Sequence, residues 1–509
     1  MTPSRLNTLS LAGWAALVWG LPFSHAAMSI GTAWLGGVAV VGLCTSPESR
    51  RRLTSASSWR PLLCLAALLG WSTLSMTWTS DASWGWRVLG LQWPILVLMT
   101  AWPALGMDNR EDAKVHGWVL GSACVAMAVC LGWGAWQLSQ GEVLEGRDWS
   151  PWVSHVRLSL FAALGLGWAA TSRPMWQLAL FSLVWGAFVG VTGSLTSAVL
   201  LPLSWAWIGL QRVPDTWQRP YRGGLLALAA VAAVAAVWVL QPTPLPAQPW
   251  PTTTSWGNPY QHRPERLASE NGHRLHMHVC RAEWDQAWDQ ISDVPLSTLS
   301  QAGFPLRARL WRYLTSKGWP KDGAHILQLT PAEVQRIEAG ATSVVERRGF
   351  EARLAAFRWE WETWLEGGNP SGHSVFQRLE HWAAGWQAWG QALWVGHGAG
   401  DAEAALQAGY DATRTKLASQ HRHRAHNQHL TWGVTGGLVA ILLWLAFLGT
   451  QMWTARTVKG ALWGGLVVAL SCVFEDTLET QAGAMVAGLA WALASSVQAN
   501  NPKAASETS

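Results

Sequence analysis

The apolar residues of this chain are concentrated in long runs that contain almost no charge. Half of the 509 residues (50%) are hydrophobic, and only 13% are charged. Such runs include 62–74, 118–131, 158–170, 178–191 and 225–240. A hydrocarbon core about 30 Å thick requires helices of about 20 apolar residues, because their backbone hydrogen bonds must all be internal. The sequence therefore predicts an all-α integral membrane protein.

Hydropathy predicts about twelve membrane spans. They cover residues 10–24, 27–44, 60–78, 87–106, 116–137, 157–171, 175–192, 196–211, 223–241, 431–451, 457–474 and 480–497. Arg and Lys cluster after the second, fourth, eighth and tenth spans, whereas the alternate short loops around 80–84, 192–196 and 475–479 carry none. The positive-inside rule then makes the basic loops cytoplasmic. The long polar block between the ninth and tenth spans is expected in the periplasm, with the spans in a bacterial inner membrane.

The predicted organisation has four parts. Residues 1–241 form a transmembrane region of about nine helices, 242–430 a mainly helical periplasmic domain, 431–498 a transmembrane region of about three helices, and 499–509 a cytoplasmic tail. The first span also fits a cleaved signal peptide, because its loss would leave every other orientation unchanged; we expect it to be retained. The clearest helix of the outer block is 375–394, where apolar residues recur at spacings of four and three and form one stripe.

Charge and cysteine content give no indication of a nucleic-acid partner, a disulfide framework or a thiolate metal site. The net charge of +5 is explained by the basic cytoplasmic loops, so no nucleic-acid partner is needed. Six cysteines without a C-x-x-C pair imply neither a disulfide framework nor a thiolate metal site. Forty tryptophans, many of them beside the apolar runs, predict belts at the membrane interfaces. Membrane lipids are thus the expected surroundings.

The segment 424–447 joins a cluster of ionisable residues directly to a predicted span. It places His426 and Asn427 at the membrane surface, where a lipid-borne substrate would lie beside them. A neutral imidazole there can take the proton from a sugar hydroxyl that attacks an anomeric carbon. His426 is therefore the candidate general base, and the alternative is an interfacial polar residue with no chemistry.

Two arginines are candidate anion ligands. Arg378 lies on the predicted helix one turn before Trp382, and a fixed guanidinium can bind a pyrophosphate leaving group bidentately. Arg157 opens the sixth span on its outer side, where an arginine is costly unless it binds something. The alternatives are a solvated arginine on an amphipathic helix for Arg378 and snorkelling to lipid headgroups for Arg157.

Other polar clusters give weaker signals. Seven histidines, at 273, 276, 278, 421, 423, 426 and 429, suggest a metal only faintly, because arginines are interleaved and carboxylate ligands are sparse. We expect no metal and no cofactor. The turn 192–197 and the glycines 396–400 could present backbone N–H groups to a phosphate, but they are short and lack a Walker pattern.

Several ordered motifs resemble the O-antigen ligase and polymerase family. The R-x-x-x-W signature of that family is matched by Ser374-Val375-Phe376-Gln377-Arg378 with Trp382. Its G-x-G-x-G-D signature is similar to the segment 395–405, and its H-N-x-x-L signature to the segment 424–431. Segments 155–161, 270–280 and 313–322 resemble a branch of that family with an enlarged loop. The resemblance covers most of residues 150–450.

The resemblance implies a glycosyltransferase type C-like membrane fold and a metal-independent, inverting transfer. The implied donor is a glycan on undecaprenyl pyrophosphate, and the acceptor is a hydroxyl of a glycolipid such as lipopolysaccharide core, of a glycan or of a protein. His426 matches the catalytic base and Arg378 the donor arginine, both as catalytic residues. The implied substrate-binding residues are Arg157, Asn427, Trp382, Gly396, Gly398, Gly400 and Asp401.

One position departs from the family pattern. Many relatives carry an arginine in the outer turn that corresponds to 192–197, where this chain has Leu195. Arg157 is the candidate replacement. Ligase, polymerase and protein O-oligosaccharyltransferase share the donor chemistry and stay open as alternatives. A transporter or flippase of lipid-linked sugars is the alternative of a different class, although its ionisable residues would be expected near the bilayer midplane.

Overall fold

Among the residues that the structure describes, the fold consists of helices and one pair of two-residue β-strands. The computed structural model describes residues 3–54, 56–142, 144, 146, 148–299, 305–347, 349–373, 375–456 and 459–494. The predicted tail 499–509, the end of the last predicted span and Ser374 of the first motif lie outside the described residues. Two compact units form, one from Met1–Ala227 with Arg378–Ser509 and the other from Leu228–Gln377.

Twenty α-helices and two strands follow one another along the described chain. They are α1 Pro3–Gly20, α2 His25–Thr45, α3 Pro47–Leu53, α4 Ala56–Leu74, α5 Ala82–Leu105, α6 Asn109–Ser139, α7 His155–Trp168, α8 Met175–Thr192, α9 Leu195–Arg212, α10 Asp215–Val239, β1 Ser269–Glu270, β2 His273–Arg274, α11 Trp284–Trp288, α12 Leu306–Ser316, α13 Gly323–Ile326, α14 Pro331–Ala339, α15 Gly349–Leu365, α16 Phe376–Gln391, α17 Ala402–Thr413, α18 Gln428–Ala455, α19 Lys459–Phe474 and α20 Gln481–Ala494.

The helical, membrane-compatible architecture predicted from the sequence is confirmed. Within the described residues, six helices are long and apolar enough to cross a bilayer. They are His25–Thr45, Ala82–Leu105, Arg110–Ser139, Met175–Thr192, Asp215–Trp238 and Gln428–Ala455. The other predicted spans fall on helices that are shorter or less apolar, such as α7, α19 and α20. The number of twelve crossings therefore stays a prediction.

Helix α7 is the central element of the first unit. Every residue from Arg157 to Trp168 is buried, and α7 packs against α6, α9, α19 and α20. Small residues allow this close packing, since a Cβ at Gly165 would press on the backbone of Leu120 in α6 at 3.1 Å. One buried, charged side chain, that of Arg157, thus lies in the first turn of a mainly apolar helix.

Local sequence signals determine where α18 begins and where it bends. Asn427 caps α18, and its side-chain oxygen accepts a hydrogen bond from the Leu430 N–H at 3.0 Å. Inside α18 the backbone of Gly437 turns to φ +65°, a conformation that glycine adopts without steric cost. The N-terminal part of α18, before Gly437, is thereby offset from the rest of the helix.

The second unit, Leu228–Gln377, has a small core of its own. Strands β1 and β2 pair antiparallel, with Ser269 opposite Arg274. The fully buried aromatic residues are Trp284, Trp288 and Tyr313. Carboxylates fix the irregular segments, as where Glu362 accepts hydrogen bonds from the backbone and hydroxyl of Ser269. Little sheet is present, as the sequence predicted.

The predicted helix 375–394 forms as α16, but it ends at Gln391 and buries a different face. The predicted apolar stripe consists of Val375, Leu379, Trp382, Trp386, Trp389 and Leu393. Of these residues, Trp386 is 60% exposed and Leu393 is 46% exposed. The small residues Ala384 and Ala388 are buried instead. A Cβ at Gly385 would collide with the side chain of Leu430, so the narrow face of α16 lies against α18. Close helix packing requires small side chains, and this requirement outweighs the apolar periodicity.

Candidate functional site

The three charged candidates come together around one carboxylate, that of Glu475. This residue directly follows α19, in a short connection to α20. Arg378 Nη2 donates to Glu475 Oε1 at 2.7 Å, and Arg378 Nε donates to the Phe474 carbonyl at 3.1 Å. The guanidinium of Arg378 is 26% exposed and the Glu475 side chain 18% exposed. This ion pair is therefore sheltered yet accessible.

Arg157 approaches the same carboxylate from α7. Its Nη2 lies 3.7 Å from Glu475 Oε2, and its Nε donates to the Thr480 hydroxyl at 3.1 Å. The remaining nitrogen, Nη1, is buried and has no hydrogen-bond partner among the described residues. Buried polar groups are ordinarily paired, so an unsatisfied guanidinium N–H marks a place where an anion is favoured.

His426 completes the cluster. Its Nδ1 lies 3.5 Å from Glu475 Oε2, and the side chain is 32% exposed. A carboxylate next to Nδ1 favours the tautomer that carries the proton on this nitrogen, which leaves the lone pair on Nε2. No hydrogen bond to Nε2 occurs within the described part of the chain. Nε2 of His426 is thus the atom suited to accept a proton.

The backbone of His426 is held in an uncommon conformation. Its φ is +47°, in the left-handed region that few residues other than glycine and asparagine occupy. The backbone N–H groups of His426 and Asn427 donate to the carboxylate of Asp476 at 3.0 and 3.2 Å, and the Thr431 hydroxyl donates to it at 2.7 Å. Asp476 therefore stabilises the turn that points His426 toward Glu475.

A second histidine lies against the ring of His426. The imidazole of His381, on α16, stacks on it with 5.3 Å between ring centroids and 29° between planes. Burial lowers the pKa of His381 to about 4, and the nearby His426, His423 and Arg378 act in the same direction, although a hydrogen bond to the His421 carbonyl opposes them. His381 therefore stays neutral near pH 7 and supports one face of the His426 ring without adding charge.

The charges around Glu475 keep it ionised. Burial alone would raise its pKa, but the hydrogen bond from His426 and the charges of Arg157 and Arg378 outweigh burial and lower the pKa to about 2. Glu479, four residues later, behaves in the opposite way. Burial and the neighbouring Asp476 raise the pKa of Glu479 to about 8, although Arg424 lies 3.1 Å from it.

The remaining residues of the last motif and of α16 border the cluster. Asn427 serves as the helix cap of α18, so the structure gives it a conformational role beside the predicted substrate contact. Trp382 lies one turn after Arg378, with its ring centroid 6.2 Å from that of Phe474. Its indole Nε1 is buried without a hydrogen-bond partner among the described residues. Substrate binding by Asn427 and Trp382 stays a prediction.

The predicted glycine loop is anchored to another part of the unit. Backbone N–H groups of His397, Gly398, Ala399 and Gly400 donate to Val434, Thr435, Ser75 and Thr79, respectively. The Asp401 carboxylate accepts from the N–H groups of Ser80 and Asp81 at 2.7 and 2.8 Å. Gly396 and Gly398 have φ values of +72° and +108°, which explains the glycines. These N–H groups already have hydrogen-bond acceptors. In the described structure the loop therefore joins the connection between α4 and α5 to α18.

The turn with Leu195 lies beside the helix that carries Arg157. Ser194 caps α9, and the hydroxyl of Ser197 forms a hydrogen bond with that of Ser159 on α7. Leu195 offers no polar atom there. Arg157, two residues before Ser159, is the arginine described at this end of the two helices, because Arg212 lies at the other end of α9.

Sequence reasoning missed Glu475, Asp476 and Glu479. The segment 475–479 was considered only as a loop without Arg or Lys. Three carboxylates in the six-residue connection 475–480 between apolar helices are a signal in themselves, because ionisable side chains packed among membrane helices are costly unless they are paired or used. Among the described residues, no group of three or more His, Cys, Asp or Glu side chains is arranged to hold a metal ion.

No protein-family model matches the chain, and no curated protein matches it. The resemblance to the O-antigen ligases therefore depends on the quoted motifs alone.

Proposed function

We propose that the chain is a membrane glycosyltransferase that moves a glycan from undecaprenyl pyrophosphate to an acceptor hydroxyl. The observation that carries this proposal is the meeting of His426, Arg378 and Arg157 at Glu475. A base and a pair of guanidinium groups are the chemical groups that attack on a glycosyl pyrophosphate requires. They come from α7, α16 and the segment before α18, far apart in the sequence.

The transfer is a single displacement at the anomeric carbon. His426 Nε2 takes the hydroxyl proton as the acceptor oxygen forms its bond to C1. The bond from C1 to the pyrophosphate oxygen breaks, and its electron pair leaves with undecaprenyl pyrophosphate. Arg378 and Arg157 neutralise the charge that develops on this leaving group. Attack opposite the leaving group inverts the anomeric centre.

The proposed topology places this chemistry at the outer face of a bacterial inner membrane. It consists of about twelve spans, with the polar block 242–430 in the periplasm. The basic loops follow alternate spans, which supports this orientation. Residues 378–430 belong to the same compact unit as the apolar helices, so the candidate site is supported by membrane-associated elements.

A deletion strain complemented with single variants tests the proposal. Because φ at His426 is +47°, His426→Asn is the preferred variant: asparagine tolerates this backbone conformation but lacks the imidazole. We expect His426→Asn and Arg378→Gln to reach wild-type membrane levels and to leave the missing surface glycan unrestored. The matched controls are His421→Ala, in the same segment, and Arg307→Gln, an exposed arginine paired with Asp285.

Gel analysis of surface glycolipids and glycoproteins gives the result. Bare lipid A-core in the deletion strain identifies a ligase, single repeats a polymerase, and an unmodified glycoprotein an oligosaccharyltransferase. Restoration of the glycan by His426→Asn would contradict the proposal and favour a transporter or flippase. Loss of restoration with the control variants would show that the assay reports folding instead of chemistry.

A further inference from the structure

We infer that Glu475 is a positioning residue for His426. When the donor pyrophosphate binds to Arg378 and Arg157, it displaces the carboxylate of Glu475, which then moves to His426. In the described structure Glu475 occupies the arginine pair that, under the proposed function, binds the pyrophosphate. Donor binding then exchanges one anion for another. The inference rests on the proposed function and adds the coupling of donor binding to the orientation of the base.

Charge makes the exchange necessary. Two guanidinium groups balance Glu475 and part of a pyrophosphate, but a pyrophosphate next to an ionised carboxylate is strongly repelled. With both arginines beside it Glu475 is ionised, because the hydrogen bond from His426 and the two guanidinium charges outweigh burial and lower its pKa to about 2. It must therefore give up its contact with Arg378 when the multivalent anion arrives. The buried and unpartnered Nη1 of Arg157 adds a further N–H for the incoming anion.

The geometry already provides the destination of the released carboxylate. Oε1 of Glu475 is held by Arg378 at 2.7 Å, whereas Oε2 faces both Arg157 Nη2 at 3.7 Å and His426 Nδ1 at 3.5 Å. The contact with His426 is longer than a strong charge-assisted hydrogen bond of about 2.7–2.9 Å. Loss of the arginine contact lets the carboxylate close this gap, fix the Nδ1–H tautomer and stabilise the imidazolium formed during transfer.

The test compares binding and turnover in Glu475→Gln. Binding of inorganic pyrophosphate to the purified full-length protein is measured by calorimetry, and glycan transfer is measured in membranes of the complemented deletion strain. We expect pyrophosphate to bind about tenfold more tightly, which corresponds to ~1.4 kcal/mol. We expect transfer to fall on the order of 10²-fold, because His426 loses its carboxylate. A merely structural residue would weaken both.

Two further variants separate charge from reach and from folding. Glu475→Asp keeps the charge but shortens the side chain, so pyrophosphate affinity should stay near wild type while transfer falls. Glu403→Gln removes an exposed carboxylate from the first turn of α17 and should change neither quantity. Gel-filtration profiles and unfolding temperatures of all variants establish that they are folded.

The outcomes distinguish this inference from the proposed function. Weaker pyrophosphate binding by Glu475→Gln, or an unchanged transfer rate, overturns the inference. If His426→Asn is inactive while Glu475→Gln transfers at the wild-type rate, the glycosyltransferase assignment stands and only the positioning role fails. If His426→Asn itself transfers glycan, the proposed function fails.

Discussion

Replacement of Arg157 by methionine should strongly reduce transfer with little loss of stability. Arg157 is 7% exposed, and one of its nitrogens has no hydrogen-bond partner among the described residues. At the observed 3.7 Å, its attraction to Glu475 amounts to about 4 kcal/mol with an effective dielectric constant of about 20. The hydrogen bond to Thr480 adds roughly 1–2 kcal/mol. Desolvation of a buried ion costs several kcal/mol, so the two sides nearly cancel.

Methionine fills a similar volume and needs no polar partner. We therefore expect the unfolding temperature of Arg157→Met, followed by the fluorescence of the forty tryptophans in detergent, to lie within about 4 °C of wild type. Transfer should fall by about 10²–10³-fold, as on loss of one preorganised donor to a leaving group. Arg307→Met, which removes an exposed arginine, should leave both quantities unchanged.

Two results would refute the reasoning about Arg157. A fall in the unfolding temperature of more than about 10 °C would mean that the guanidinium is a net structural contribution to the unit. Wild-type transfer by a folded Arg157→Met protein would mean that the unpartnered N–H does not bind the donor. The second result would also leave the substitution of Leu195 for an arginine without a compensating residue.

Further predictions concern Glu479 and the glycine loop. The folded-state pKa of Glu479, about 8, lies above its ordinary 4.5, so its contribution to stability is present below pH 4.5 and is lost as pH rises to about 8. Glu479→Gln should therefore raise the unfolding temperature at pH 8 but not at pH 4.5. Gly400→Ala should lower membrane expression several-fold, because its Cβ would collide with the Asp81 carbonyl. Gly390→Ala, whose Cβ meets open space, should be neutral or stabilise the helix by about 0.5–1 kcal/mol. Melting curves and membrane immunoblots measure these effects, and equal behaviour of the two glycine variants would contradict the packing argument.

The apolar helices and the ionisable candidate residues could be predicted from the sequence. An apolar run of membrane length is a property of the local sequence, so its position is predicted without knowledge of the tertiary structure. His426 was selected as a base that can exchange protons near neutral pH, and Arg378 as a guanidinium that can bind a pyrophosphate. Arg157 was selected because an arginine at the end of a span is costly unless it binds something. The structure places all three at Glu475, while their roles in transfer stay predictions.

The hydrogen-bond and packing partners of the candidate residues could not be predicted from the sequence. Asp476 lies 50 residues beyond His426, and nothing local in either segment indicates that they meet. The N–H groups of 398–400 gave only a weak prediction of phosphate binding, and Thr435, Ser75 and Thr79 accept their hydrogen bonds. The stripe on α16 was predicted from the spacing of apolar residues, whereas the packed face is the one with small residues. Contacts between distant segments decide all three cases.

The connection between α19 and α20 contains two neighbouring carboxylates that face different partners. Glu475 faces the arginines and His426, while Asp476 accepts hydrogen bonds from the backbone that orients His426. Surface loops generally accept insertions and deletions. Here the gain or loss of one residue would move one carboxylate into the place of the other and separate the second carboxylate from its partners. In a saturation library with insertions and deletions, this connection should therefore be as intolerant of length changes as the interior of a buried helix.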